Sequence, residues 1–239
     1  MKQLFSVALV ALSLSSYGNA ETLEKHLFIL SGQSNMLYLD PDVSFTPAVK
    51  EKFGNDNVIV VKEAASNQPI LHWYKNWKPA MGTGPKAPGD ICGDIYDRMM
   101  TKVQTAMKSQ RIKSVTFVWM QGETDAINNQ GEVYAASMKG LIAQLQKDLG
   151  RSDINVVIGR ISDCQSSPQW TMVRKAQVDI AESNNRYAWV DTDDLNGAGN
   201  DVHYDAEGYK TLGKRFAEKT INLINNNPIG RSAEKKTTE

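Results

Sequence analysis

His26-Leu27-Phe28-Ile29-Leu30-Ser31-Gly32-Gln33-Ser34-Asn35-Met36 holds the key to the architecture: an apolar run passes directly into small and polar residues. An uninterrupted apolar run of this length reads as a strand buried on both faces, the habit of parallel sheets. The polar residues after it, beside a glycine, read as a sharp turn at the strand's carboxyl end. Four more runs share the character of 26–30: residues 57–61, 114–120, 155–158 and 187–190, each rich in Val, Ile, Phe or Trp and bounded by polar residues or Gly. Helical spacing fills the gaps. Ile95, Met99, Val103 and Met107 mark one apolar face over 91–109, and Tyr134, Met138, Leu141, Ile142, Leu145 and Leu149 another over 132–149. Val173, Ala176, Val178, Ile180 and Ala181 do the same over 171–183, as do Tyr209, Leu212, Phe216, Ile221 and Ile224 over 206–225. Strand–helix alternation predicts an α/β fold, a doubly wound layer structure with a five-stranded parallel sheet. Sites in such sheets form at the carboxyl ends of the strands.

The 239 residues favour one domain, and a hydrophobic fraction of 41% is ordinary for a globular chain with a real core. Lys plus Arg and Asp plus Glu number 27 each, with no basic stripe, so nothing points to nucleic acid. Residues 1–20 differ in kind: Lys2, an apolar run over 4–14, then small residues at Gly18 and Ala20. This reads as a secretory signal peptide cleaved near Ala20, placing a mature domain of 21–229 in the periplasm or outside the cell. No cysteine follows the cleavage point, so no lipid anchor to a membrane is expected. Residues 230–239 read as a disordered polar tail. Cys92 and Cys164 can pair in an oxidising compartment or remain separate buried thiols; the sequence does not choose. His26, His72 and His203 share no ligand spacing, and no metal or cofactor is expected.

Three polar clusters follow predicted strands. Ser34 stands just past the first, where a turn can expose its hydroxyl and direct backbone N–H groups at an oxyanion; the same hexapeptide can equally cap a helix. Gln121-Gly122-Glu123-Thr124-Asp125 follows the third, with an amide donor in Gln121 and acceptors in Glu123 and Asp125. Asn200-Asp201-Val202-His203 follows the last; in extended chain, residues i and i+2 share a face, so Asp201 can reach the imidazole. A nucleophile, a donor and a base on one sheet edge is an arrangement for acyl transfer.

The blocks Gly32-Gln33-Ser34-Asn35-Met36, Gln121-Gly122-Glu123-Thr124-Asp125 and Asp201-Val202-His203 resemble, in that order, the sialate O-acetylesterase-like, carbohydrate-esterase branch of the SGNH hydrolases, which includes acetyl xylan esterases. The resemblance spans about residues 26–216. It implies a flavodoxin-like three-layer sandwich and metal-independent ester hydrolysis. It implies Ser34 as nucleophile, His203 as general base and Gln121 as an oxyanion donor beside the Ser34 N–H. Residues 69–73 resemble the block preceded in the family by paired glycines, one of which lends an N–H to the oxyanion; here Ser66-Asn67 stand there, and Asn67 takes that part. The family's acid commonly precedes the histidine by three, where this chain has Asn200, so Asp201 is expected as the acid, with Glu123 as the alternative.

The resulting expectation is an exported serine esterase removing acetyl groups from a carbohydrate such as sialic acid or xylan. Trp73, Trp77 and Trp170 are expected either to stack substrate sugars or to pack loops onto the core. Two rivals stand beside it: an SGNH lipase or thioesterase for longer acyl chains, and a carbohydrate-binding protein on a dead hydrolase scaffold.

Overall fold

A computed structural model describes residues 24–81 and 92–228. Five strands form one parallel sheet: β1 (Glu24–Gly32), β2 (Val58–Ala64), β3 (Arg111–Met120), β4 (Asn155–Gly159) and β5 (Tyr187–Val190), in the order β2-β1-β3-β4-β5. That order belongs to the flavodoxin-like class, whose direction of winding reverses between β1 and β3.

Both faces of the central strands are covered, which explains their unbroken apolar runs. Along β1, Leu27 and Ile29 enter one core while Phe28 and Leu30 enter the other; along β3, Val115, Phe117 and Trp119 oppose Val118 and Met120. Alternation of side chains across a strand sends each residue to one of two helical layers. The first layer comprises α3 (Asp94–Met107), α5 (Gly131–Leu149) and α6 (Pro168–Glu182). The second comprises α1 (Ser34–Tyr38), α2 (Phe45–Phe53) and α7 (Ala206–Asn226). A short α4 (Glu123–Ile127) caps the end of β3.

Local chemistry sets the helix limits. Ser167 accepts from Trp170 N–H, with Pro168 opening α6, and Asp205 accepts from Gly208 N–H at the head of α7. The helix expected over 91–109 starts only at Asp94, because Gly93 adopts a left-handed conformation (φ +85°). Helix α2 was not anticipated; it is nine residues long with Pro47 in its first turn. The expectations for 1–20 and 230–239 lie outside the described residues. No helix among those described is long and apolar enough to cross a membrane.

Candidate active site

The carboxyl ends of β1 and β3 are locked together one residue past the strands. Gly32 has φ +149° and lies so close to β3 that a Cβ would stand 1.9 Å from the Met120 carbonyl oxygen. Gln33 N–H then donates to that same oxygen at 2.9 Å. The Gln33 side-chain oxygen accepts from Gly122 and Thr124 N–H at 3.4 and 3.3 Å, closing the head of α4. Gln33, not Ser34, is therefore the N-cap residue of α1, and Ser34 is its first helical residue, 2% exposed. The Ser34 N–H has no acceptor among the described residues, as expected for the first turn of a helix.

Ser34 Oγ lies 2.9 Å from Nε2 of His203, 169 residues further along the chain. His203 sits in the exposed loop between β5 and α7, and the ring of Tyr38 meets it edge-on at 5.2 Å between centroids. Among the described residues no side chain hydrogen-bonds its Nδ1. Asp201 is exposed, and its own N–H donates to the Asn196 carbonyl. The i, i+2 rule fails here because the segment before His203 is a series of turns, with Asn200 left-handed at φ +48°. Glu123 is buried and accepts from Asn35 Nδ2 at 2.9 Å. Neither acid expected from the sequence contacts the imidazole directly.

Burial dominates the electrostatics beneath the site. Removal from water raises the carboxyl of Glu123 to about 7, with opposing hydrogen bonds from Asn35 and from backbone N–H groups. The same cause, helped by the charge of Glu123, raises Asp125 to about 7 against hydrogen bonds from Gln121 and Ile70. One oxygen of each carboxyl lacks a partner, as does Gln121 Oε1. A proton shared among such groups relieves the desolvation of two buried charges.

The expected role of Gln121 needs correction. Its amide is fully buried, and its hydrogens go to Asp125 Oδ2 and to the Gln68 carbonyl, the latter at 3.2 Å. In this arrangement it has none left for an oxyanion. Together with Asp125, which accepts from Ile70 N–H at 2.8 Å, it instead ties residues 68–70 to the end of β3. Asn67 precedes that segment and is exposed, with φ +56°, a conformation asparagine tolerates better than most residues.

The three tryptophans resolve towards packing. Trp73 is fully buried, donates to Ser31 Oγ at 2.8 Å and stands edge-on to Trp119 at 5.2 Å. Trp77 is 7% exposed; Trp170 is 2% exposed and donates to the Ser162 carbonyl at 2.7 Å. All three belong to the hydrophobic core, so of the two alternatives packing is the one their burial favours. Cys92 and Cys164 are both free thiols, raised above their ordinary value by burial. The described residues contain no group of three or more His, Cys, Asp or Glu side chains suited to a metal ion.

A cavity of about 500 Å³ adjoins His203, lined by Asn196, Asp201, Tyr204 and Asp205 among others. A larger groove of about 1010 Å³ runs along the free edge of β5 past Trp189 and includes neither Ser34 nor His203, whereas the smaller one includes His203 but not Ser34. Sequence reasoning missed three residues that touch the site: Asn35, Tyr38 and Tyr209. Tyr38 was within reach, since a residue four after Ser34 shares its face if the turn is helical. Tyr209 was counted as a core position of α7, and only proximity reveals its other contacts.

Solved structures similar to this chain have the same fold. A protein of Arabidopsis thaliana matches with a TM-score of 0.65 at 20% identity, over 85% of this chain and 99% of its own. A carbohydrate acetylesterase from Xanthomonas citri matches with 0.63 at 14% identity, over 85% and 57% respectively. A carbohydrate acetylesterase family member from Sinorhizobium meliloti matches with 0.53 at 14% identity, over 84% and 99%. No curated protein matches the chain in sequence. The family model of the carbohydrate esterases described as sialic acid-specific acetylesterase matches residues 38–222. The chain therefore belongs to this family of carbohydrate esterases, which are carboxylic ester hydrolases.

Proposed function

We propose that this protein, after export, removes O-acetyl groups from a carbohydrate through an acyl-enzyme on Ser34. The observation that carries the reading is the 2.9 Å approach of Ser34 Oγ to His203 Nε2 at the end of β1, beside the point where the sheet's winding reverses. With the His203 ring neutral at Nε2, that nitrogen takes the Ser34 proton while the serine oxygen bonds to the acetyl carbonyl carbon. The oxyanion is received by the Ser34 N–H and by the Asn67 N–H, the latter held in place through Gln121 and Asp125. His203 returns the proton to the departing sugar oxygen. Water, activated by the same nitrogen, then releases acetate and restores Ser34.

Asn196, Asp201 and Asp205 in the cavity beside His203 can hydrogen-bond sugar hydroxyls. Tyr38, about half exposed and against the His203 ring, supplies the aromatic surface that the buried tryptophans do not. Export rests on the character of residues 1–20.

Acetate release from a panel of acetylated glycans, with Ser34→Ala as the blank, tests the reading. Ser34→Ala and His203→Ala are each expected to remove essentially all turnover. Wild-type rates in either variant, or a preference for p-nitrophenyl esters of eight carbons or more over the acetate, would overturn it.

A further inference from the structure

With no acid on Nδ1 of His203 among the described residues, something else must fix the ring, and the hydrogen bonds around it identify the groups. We propose that Asn35 and Tyr209 are positioning residues for His203, holding the peptide groups on either side of it so that Nε2 faces Ser34. This inference rests on the serine-esterase reading above and deepens it.

Three elements meet at one side chain. Asn35, 1% exposed and adjacent to Ser34 on α1, donates from Nδ2 to the Val202 carbonyl at 3.0 Å and to Glu123 Oε1 at 2.9 Å. Its Oδ1 accepts from Tyr209 Oη of α7 at 3.0 Å. Tyr209 Oη in turn accepts from Tyr204 N–H at 3.4 Å. The carbonyl before His203 and the N–H after it are thus both bound to the same pair of side chains. Tyr38 closes the arrangement, its ring edge-on to His203 and 6.2 Å from that of Tyr209.

The chemistry of the hub is specific. Only an amide can donate twice and accept once at this place; a carboxylate there would set its oxygens against Glu123 and the Val202 carbonyl. Because Asn35 is the covalent neighbour of the nucleophile, Ser34 and His203 move on one anchor, and the 2.9 Å contact is preserved even though the His203 loop is exposed. Glu123 acts at one remove, by orienting the Asn35 amide from within the core.

Tyr209→Phe is the informative variant, since it keeps the ring and its packing while removing both hydrogen bonds. Steady-state hydrolysis of p-nitrophenyl acetate and the rate of Ser34 labelling by a fluorophosphonate are measured in the mature chain, with Asn35→Asp as a second variant. Tyr209→Phe is expected to lower kcat and the labelling rate together by about ten- to a hundredfold, the scale set by small misplacements of reacting groups. KM should stay within about twofold, and the melting temperature should fall by only a few degrees for the lost bond to Asn35, leaving the protein folded under assay, which separates aiming from general destabilisation. The same substitution is then made in a His203→Ala background, where residual turnover should change less than about twofold, because the effect acts only through the imidazole. A kcat for Tyr209→Phe within about twofold of wild type overturns the proposal. So does an equal fold-loss with and without His203. If His203→Ala or Ser34→Ala itself retains wild-type activity, the esterase reading fails first, and this inference with it; if both are dead while Tyr209→Phe is unaffected, only the inference fails.

Discussion

Gly32→Ala should damage stability and catalysis together, and its cost can be worked from the contact between β1 and β3. The added Cβ would lie 1.9 Å from the Met120 carbonyl oxygen and 2.6 Å from its carbon. Backbone cannot rotate away as a side chain would, so the strands must part by about 1 Å before that contact becomes tolerable. Parting them strains the 2.9 Å bond from Gln33 N–H to the same oxygen. A buried hydrogen bond broken in this way costs about 1–3 kcal/mol. The φ of +149° is also one that L side chains avoid, adding about 1–3 kcal/mol. Together these place the loss at roughly 2–6 kcal/mol, reaching into the upper range for single substitutions. Gly150→Ala is the control: it too has a left-handed φ, +62°, but no atom within 4 Å of a Cβ, so only about 1–2 kcal/mol is expected. Urea denaturation of both variants measures the difference. Ser34 begins two residues after Gly32, so a shift of about 1 Å there should cut kcat on p-nitrophenyl acetate by about a hundredfold under conditions where the protein remains folded. Equal destabilisation by Gly32→Ala and Gly150→Ala, with kcat unchanged, would refute the claim that this close approach sets the position of the nucleophile.

Stability should vary with pH from two opposed sources. His26, stripped of water and placed beside Ser114 and Phe53, has its pKa lowered from 6.5 to about 4; its contribution is present above pH 6.5 and lost as pH falls towards 4, because the unfolded chain then binds a proton the folded one refuses. Glu123, raised from 4.5 to about 7, works the other way: the folded state keeps a proton that the unfolded state releases, so stability declines as pH rises from about 4.5 to 7. Asp125, likewise raised from 3.8 to about 7, acts in the same direction as Glu123, so urea midpoints across pH 4–8 should lose their acid-side slope in His26→Asn and part of their neutral-side slope in Glu123→Gln; unchanged slopes in both variants would contradict the assigned burial. Trp170→Phe, which leaves the Ser162 carbonyl without its donor, should cost about 1–2 kcal/mol of stability while KM for an acetylated glycan stays constant; a raised KM with stability intact would return this tryptophan to the substrate site. Treatment with a thiol reductant should leave the melting temperature unchanged, since Cys92 and Cys164 are free; a marked drop would reveal a disulfide.

Much of the architecture was legible before any coordinates. The five apolar runs became β1 to β5, and the four spaced segments became α3, α5, α6 and α7 within a few residues. Periodicity is a local property, and burial on two faces writes itself into consecutive residues. Helix α2 escaped notice because nine residues carrying three lysine or glutamate side chains and a proline leave only a faint stripe. The tryptophans stayed undecided for a related reason. A large aromatic beside a polar loop fits both an open platform and a plug beneath it, and composition does not say which side faces water.

At the site, position after a strand made Ser34 and His203 candidates, since the parallel topology places those strand ends on the same edge, and the family resemblance of their blocks supplied the roles of nucleophile and base that the proposed mechanism uses. What linear order could not decide is which polar groups still have a free hydrogen once the chain is folded. Gln121 spends its amide on Asp125 and Gln68, Asp201 turns out to solvent, and Asn35 gathers Glu123, Val202 and Tyr209 from three separate elements. Strands and helices arise from neighbours along the chain, whereas hydrogen-bond partners are allotted in competition among groups brought together from its whole length, and only tertiary packing holds that contest.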